Sequence, residues 1–75
     1  MEELNLSDRL RLIAGLIKKG SKVADIGTDH GYLPIFLVKS GITDRVIAMD
    51  VRKGPLKKAE DNTRAFCVSD QIELR

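Results

Sequence analysis

Two short runs, Lys22-Val23-Ala24-Asp25-Ile26 and Arg45-Val46-Ile47-Ala48-Met49-Asp50, constrain this chain more than anything else in it. Each is apolar on consecutive rather than alternate residues, the pattern of a strand covered on both faces, and such strands belong to parallel sheets. Parallel neighbours require a crossover between them, usually a helix. The segment between the two runs reads as one. Pro34 suits a first helical turn, Leu33, Phe36, Leu37 and Ser40 mark its inward side, and Gly41 ends it.

The same punctuation continues on either side. Ser7 is an N-cap candidate, and Leu10, Ile13, Ala14 and Ile17 follow at the spacing of one helical face. Lys18 and Lys19 suit the negative end of that helix, and Gly20 its left-handed stop. Gly54-Pro55 opens a third helix with Leu56, Ala59, Thr63 and Phe66 or Cys67 inward, and residues 71–75 start a third strand. Right-handed crossovers place the second strand beside the first and the third beyond it.

The expected fold is therefore α/β: an N-terminal helix followed by βαβαβ, the first half of a Rossmann-like doubly wound parallel sheet, truncated. Residues 1–75 then form the N-terminal cofactor-binding portion of a single domain, a fragment of it. In the complete fold the first strand lies mid-sheet. Here its outer edge has no partner within the chain, so either the chain is a fragment of a longer protein or something else covers that edge, by self-association or a recruited partner.

Composition narrows the class. An apolar fraction of 43% and a charged fraction of 32% fit a folded globular chain. Met1-Glu2-Glu3-Leu4-Asn5 lacks the basic start and apolar core of a signal peptide, and no apolar run approaches the roughly 20 residues that cross a membrane. A lone cysteine, Cys67, forms no internal disulfide, and its expected place is the core. The expected location is the cytoplasm. A net charge of +2 does not by itself argue for nucleic acid.

The segment Val23 to Tyr32 carries the chemistry, because it joins the C-terminal end of a strand to the N-terminal end of a helix. Ligands bind there in open α/β sheets. Gly27 permits a sharp turn with room for a ligand against the backbone, and Gly31 lets the helix start approach it, with free amides nearby for an anionic group. Asp50 ends the second strand, 23 positions beyond Gly27, and reaches the same rim. A carboxylate there can accept both vicinal hydroxyls of a ribose. The glycines follow G-x-x-x-G, with Asp29 and His30 between them, rather than the G-x-G-x-x-G of dinucleotide sites. An acid at Asp29 repels a pyrophosphate and attracts the ammonium and sulfonium of S-adenosylmethionine, so charge favours the methyl donor over NAD.

Asp25-Ile26-Gly27-Thr28-Asp29-His30-Gly31-Tyr32-Leu33-Pro34 resembles motif I of class I methyltransferases. Its Asp-His-x-Tyr-Leu-Pro ending is similar to the bacterial tRNA adenine-N1 methyltransferases that modify position 22, as are Leu6-Ser7-Asp8-Arg9-Leu10 and Lys53-Gly54-Pro55. The resemblance spans nearly the whole chain but only the first third or so of such an enzyme. It implies S-adenosylmethionine as cofactor, with Asp25, Gly27, Asp29 and Gly31 along its methionine end and Asp50 on the ribose. It also implies tRNA as the partner of the full-length enzyme. Several members carry Glu at the position of Asp50. The adenine-reading, catalytic and RNA-binding parts are then expected beyond Arg75, leaving catalytic residues unassigned.

Other readings stay open on the sequence. His30 can be an acid–base group or a cap, Asp25 can brace the turn, and Tyr32 can stack on a ring or pack under the loop. Asp29 and His30 lack a third metal ligand, so no metal site is expected. Arg52, Lys53, Lys57, Lys58 and Arg64 can meet RNA phosphates, or form a solvated face with Glu60 and Asp61. At the level of function, the rivals are the nucleotide-binding half of an NAD-dependent oxidoreductase, a non-catalytic interaction module, and a methyltransferase acting on small molecules or protein.

Overall fold

The computed structural model describes residues 6–75. The elements run α1 (Asp8–Gly15), β1 (Val23–Ile26), α2 (Tyr32–Lys39), β2 (Val46–Met49), α3 (Lys53–Ala65) and β3 (Ile72–Leu74). The three strands are parallel in the order β1-β2-β3. Asp25 pairs with Ala48 and Ile26 with Met49, so β1 and β2 end in step. The acidic segment Met1 to Asn5, on which the signal-peptide reading rests, lies outside the described residues. No helix among the described residues is long and apolar enough to cross a membrane.

The core lies between one face of the sheet and the helices. Ile35 and Leu37 of α2 are fully buried against Val46, Ala48 and Ile72, with Phe66 and Val68 beside them. Here the structure departs from the expectation of strands covered on both faces. Ala24, Ile26 and Glu73, which point the other way, are exposed, and Ile47 and Met49 are half-buried. Both crossovers run in the same direction along the sheet, so a right-handed path lays α2 and α3 on the same side of it. α2 is buried on more sides than its sequence spacing suggests, with Pro34, Ile35 and Val38 inside, Phe36 half-buried and Ser40 exposed.

α1 is shorter than expected. Ser7 caps it as read, its Oγ accepting the Leu10 amide at 3.3 Å. The helix ends at Gly15, before Lys18, Lys19 and Gly20, because the chain tightens to i→i−3 bonds: Leu16 to the Ile13 carbonyl and Ile17 to that of Ala14. Ala14 is buried, and Leu10 and Ile17 pack against the core, whereas Ile13 is exposed.

The other two helices end alike. In α2 the amides of Gly41 and Ile42 return to the carbonyls of Val38 and Leu37; in α3 those of Cys67 and Val68 return to Arg64 and Thr63. This is the Schellman arrangement, with a left-handed residue just past the C-cap. At α3 that residue is Cys67, at φ 61°. Turning left-handed swings Cys67 to the surface and Val68 inward, so the expected core cysteine is instead exposed. A non-glycine residue in this conformation costs about 1–2 kcal/mol, partly offset by the entropy a glycine would lose. Cys67→Gly is expected to stabilise the chain by about 0.5–1 kcal/mol, with Cys67→Ala near zero. Urea denaturation checks this through a raised midpoint at unchanged slope.

Candidate functional site

The rim where β1 and β2 end is built by two loops that share one carboxylate. Past β1, the amides of Gly27 and Thr28 both donate to the Met49 carbonyl at 2.8 Å. The chain then turns through left-handed Gly27, Asp29 and Gly31, at φ 75°, 58° and 78°. Past β2, Asp50 folds back so that its Oδ1 accepts the Arg52 amide at 2.9 Å, an Asx turn that delivers the chain to α3, whose N-cap is Arg52. The Asp50 Oδ2 accepts the Asp29 amide at 3.1 Å across the rim. One side chain thus fastens both loops.

Arg52 also lays its guanidinium on the same carboxylate, Nε to Oδ1 at 3.2 Å and Nη2 to Oδ2 at 3.3 Å. These bonds hold the Asp50 carboxyl down at about 2, the Arg52 side chain contributing most and its amide next. Asp25 behaves oppositely. Burial pushes its carboxyl above the ordinary value, and the Thr28 hydroxyl opposes that in part. Thr28 Oγ1 is itself buried and has no hydrogen-bond partner among the described residues.

Two clefts meet at this rim. One, of about 550 Å³, is lined by Asp25, Gly27, Thr28, Asp29, His30 and Arg52, with Leu10 and Ile13 of α1 as its far wall. The other, of about 490 Å³, runs over Ile26, Gly27, Met49, Asp50 and Arg52 to Arg75. Of the five residues singled out in the sequence, Asp25, Gly27 and Asp29 share the first cleft, and Asp50 lines the second. Gly31 lines neither. A Cβ at Gly31 would sit 3.1 Å from the Ala59 Cβ, so this glycine lets the loop approach α3 rather than a ligand. A Cβ at Gly27 would meet nothing within 4 Å, which leaves the space over that turn open.

The amides free for an anion are those beside Gly31, at the start of α2, whereas those within the turn are engaged. The amides of Gly27, Thr28, Asp29 and Gly31 all donate within the chain, the last to the Thr28 carbonyl at 3.1 Å. His30 is braced rather than free, its carbonyl accepting Asn62 Nδ2 at 2.9 Å and its ring edge-on to Tyr32 at 5.9 Å. On α3, Lys57 pairs with Asp61 at 3.3 Å and Arg64 with Glu60 at 2.9 Å, a solvated face crossed by ion pairs. Sequence reasoning missed Thr28, whose buried hydroxyl has no pattern to announce it. It also assigned Arg52 to a surface patch, although its position two residues after Asp50 is the spacing of an Asx turn.

Two outcomes follow for stability. A left-handed residue bearing a Cβ costs about 1–2 kcal/mol, so Gly27→Ala loses about that much. Gly31→Ala loses at least about 2 kcal/mol, because α3 must also give way. Urea denaturation of Gly31→Ala, Ala59→Gly and the double variant is expected to show the pair less destabilised than the sum of its parts. For Asp25, a carboxyl raised by burial costs stability once ionised. Asp25→Asn is therefore expected to melt higher than the parent near neutral pH, an advantage that fades as pH falls through the raised value of Asp25 and is gone below the ordinary 3.8. Thermal unfolding across pH checks the sign.

Comparison with known proteins agrees with this geometry. The family described as "Methyltransferase domain" matches residues 6–75. The chain is 36% identical over 75 residues to the tRNA (adenine(22)-N(1))-methyltransferase of Bacillus subtilis (strain 168), covering 100% of this chain and 32% of that protein. It is 34% identical over 65 residues to the ribosomal protein L11 methyltransferase of Desulforamulus reducens, covering 87% of this chain and 21% of that protein. Among solved structures, M. capricolum TrmK in complex with S-adenosyl-homocysteine aligns with a TM-score of 0.89 at 43% identity, over 93% of this chain and 31% of that one. The chain spans about a third or less of the length of these relatives. A match running from Leu6 to Arg75, over a parallel βαβαβ unit with its acidic rim, means that the chain belongs to the methyltransferase domain family.

Proposed function

We propose that this chain binds S-adenosylmethionine at the rim of β1 and β2, as the cofactor-binding portion of a methyltransferase that acts on N1 of an adenine in tRNA. The observation that carries the reading is the Asp50 carboxylate. It stands at a strand end, is fastened by backbone amides from both loops, and lies beside the open turn at Gly27. That is the equipment for holding a ribose by its diol.

The glycine turn argues against a pyrophosphate. A phosphate cradle needs unpaired amides, and those of Gly27, Thr28, Asp29 and Gly31 are engaged inside the chain. The exposed Asp29 carboxylate adds repulsion. The charge at Asp29 suits a cationic methionine end, so NAD is disfavoured. In this reading Asp50 holds the ribose hydroxyls and Gly27 leaves room over the turn. Asp25 and Asp29 face the ammonium, with the Thr28 hydroxyl beside Asp25. Gly31 acts indirectly, by letting the loop settle against Ala59.

When bound, S-adenosylmethionine supplies an electrophilic methyl group for a nucleophilic atom. The described residues contribute orientation, because a fixed ribose and a fixed methionine end define where that methyl points. Substrate choice rests on the relatives. The Bacillus subtilis protein is a tRNA (adenine(22)-N(1))-methyltransferase, and the M. capricolum protein was solved with S-adenosyl-homocysteine. In folded RNA the N1 edge is paired or stacked, so the base must be exposed to react. In this reading the protein works in the cytoplasm. The likeness to ribosomal protein L11 methyltransferases supports a second reading, transfer to protein.

Amide NMR titration tests the first step. S-adenosylhomocysteine is expected to shift Gly27, Asp29 and Asp50, with NAD giving no such pattern. A bond to a charged group contributes about 1.5–3 kcal/mol, so Asp50→Asn is expected to weaken binding about 10- to 100-fold with its spectrum still dispersed. Shifts with NAD alone would move the reading to an oxidoreductase. Labelled methyl transfer by the full-length gene product, offered tRNA or ribosomal protein, separates the two substrates.

A further inference from the structure

The Asp50 carboxylate has no acceptor site to spare. It offers about four lone-pair positions, and four hydrogen bonds fill them: the Arg52 amide and Nε on Oδ1, the Asp29 amide and Arg52 Nη2 on Oδ2. A vicinal diol needs two of these. The four are not equally fixed. Two come from backbone amides that the loops hold in place, at 2.9 and 3.1 Å. The other two come from a guanidinium at 3.2 and 3.3 Å, on a side chain that is 62% exposed.

We propose that the Arg52 guanidinium is a built-in competitor of the ribose, capping Asp50 as the diol would and turning away to admit it. The proposal rests on the nucleoside reading of this rim and adds what sets its affinity. Removing the guanidinium frees one position on each carboxylate oxygen, one for each hydroxyl, while both backbone bonds keep the carboxylate aimed. Arg52 also has a place to go. Its Nη2 already lies 3.8 Å from the exposed Asp29 Oδ1, so the turn exchanges one ionic partner for another. Arg52 lines both clefts, which puts the moving group at their junction. Its role as N-cap of α3 uses the backbone and survives substitution of the side chain.

The Asp50 side chain is covered, but the guanidinium on it is 62% exposed and water competes for it, so the competition is modest. Arg52→Ala is expected to bind S-adenosylhomocysteine about two- to fivefold tighter than the parent chain. Arg52→Lys, a point cation without the fork, is expected to fall between them. A 2′,3′-dideoxy analogue, which asks nothing of Asp50, is expected to bind parent and Arg52→Ala alike. In the parent, the Arg52 Nε–Hε resonance is expected to move towards its solvent-exposed position as S-adenosylhomocysteine saturates the site.

Calorimetric titration of the parent, both Arg52 variants and Asp50→Asn reads every arm, with amide spectra confirming that each is folded. Equal or weaker binding by Arg52→Ala, or an unmoved Nε–Hε signal, overturns the competitor while leaving the nucleoside site standing, provided Asp50→Asn loses affinity. If Arg52→Ala does not fold, Arg52→Lys decides by the same criterion. No binding by a folded parent and folded variants removes the nucleoside reading, and the competitor with it.

Discussion

The rim depends on β1 and β2 ending in step. Parallel pairing of Asp25 with Ala48 and Ile26 with Met49 brings the two chain exits to the same height, and both loops then start from one line. The Met49 carbonyl, the last of β2, takes the first two amides past β1, so the pairing continues into the glycine turn. Asp50 is the next residue along, and its carboxylate reaches the Asp29 amide from there. A shift of register by one residue would reverse every side chain on one strand and carry Asp50 away from the turn it fastens. The site is in this sense a property of the sheet edge, with the loops as its furnishing.

A second constraint ties the turn to the far helix. Gly31 and Ala59 approach so closely that a single methyl group at the glycine would have to displace α3. Asn62, one turn further along α3, holds the His30 carbonyl in the same loop. α3 begins at Arg52, which Asp50 caps, and it runs back past the β1–α2 loop. The loop, the carboxylate and the helix therefore form a closed circuit in which each member fixes the next. That explains how a chain of 75 residues can hold a left-handed Asp29 in a turn exposed to solvent.

Much of this was legible in the residue pattern, for identifiable reasons. Strand positions, their order and the bare edge of β1 follow from apolar runs and the handedness of crossovers, which are local or general rules. Ser7 and Gly41 did what their side chains allow at helix ends. What could not be read were departures decided by distant packing. Cys67 stands where a glycine would have advertised the left-handed turn, so no stop for α3 could be read and its cysteine was put inside. The contact of Gly31 with Ala59, 28 positions away, could not be read because Ala59 carries no mark of it. Ile13 belongs by spacing to an inward face and by structure to the cleft wall, because α1 leans over the rim.

The charges at the rim explain why these residues are tolerated together. Asp25, Asp29 and Asp50 gather at the rim, where Arg52 pairs with two of them, while Arg9 also lines the first cleft and Arg75 the second. The three acids are held differently. Asp50 is stabilised as an anion by four donors, Asp29 is left in water, and Asp25 is penalised by burial. A ligand with a positive ammonium and a positive sulfonium would relieve that penalty where it is largest, at Asp25, and would meet no fixed cation there. A phosphate would bring its charge beside the exposed Asp29 carboxylate. The burial penalty on Asp25 is what a cationic ligand would relieve, and Arg52, the guanidinium that lines both clefts, is the group whose position the ligand must change.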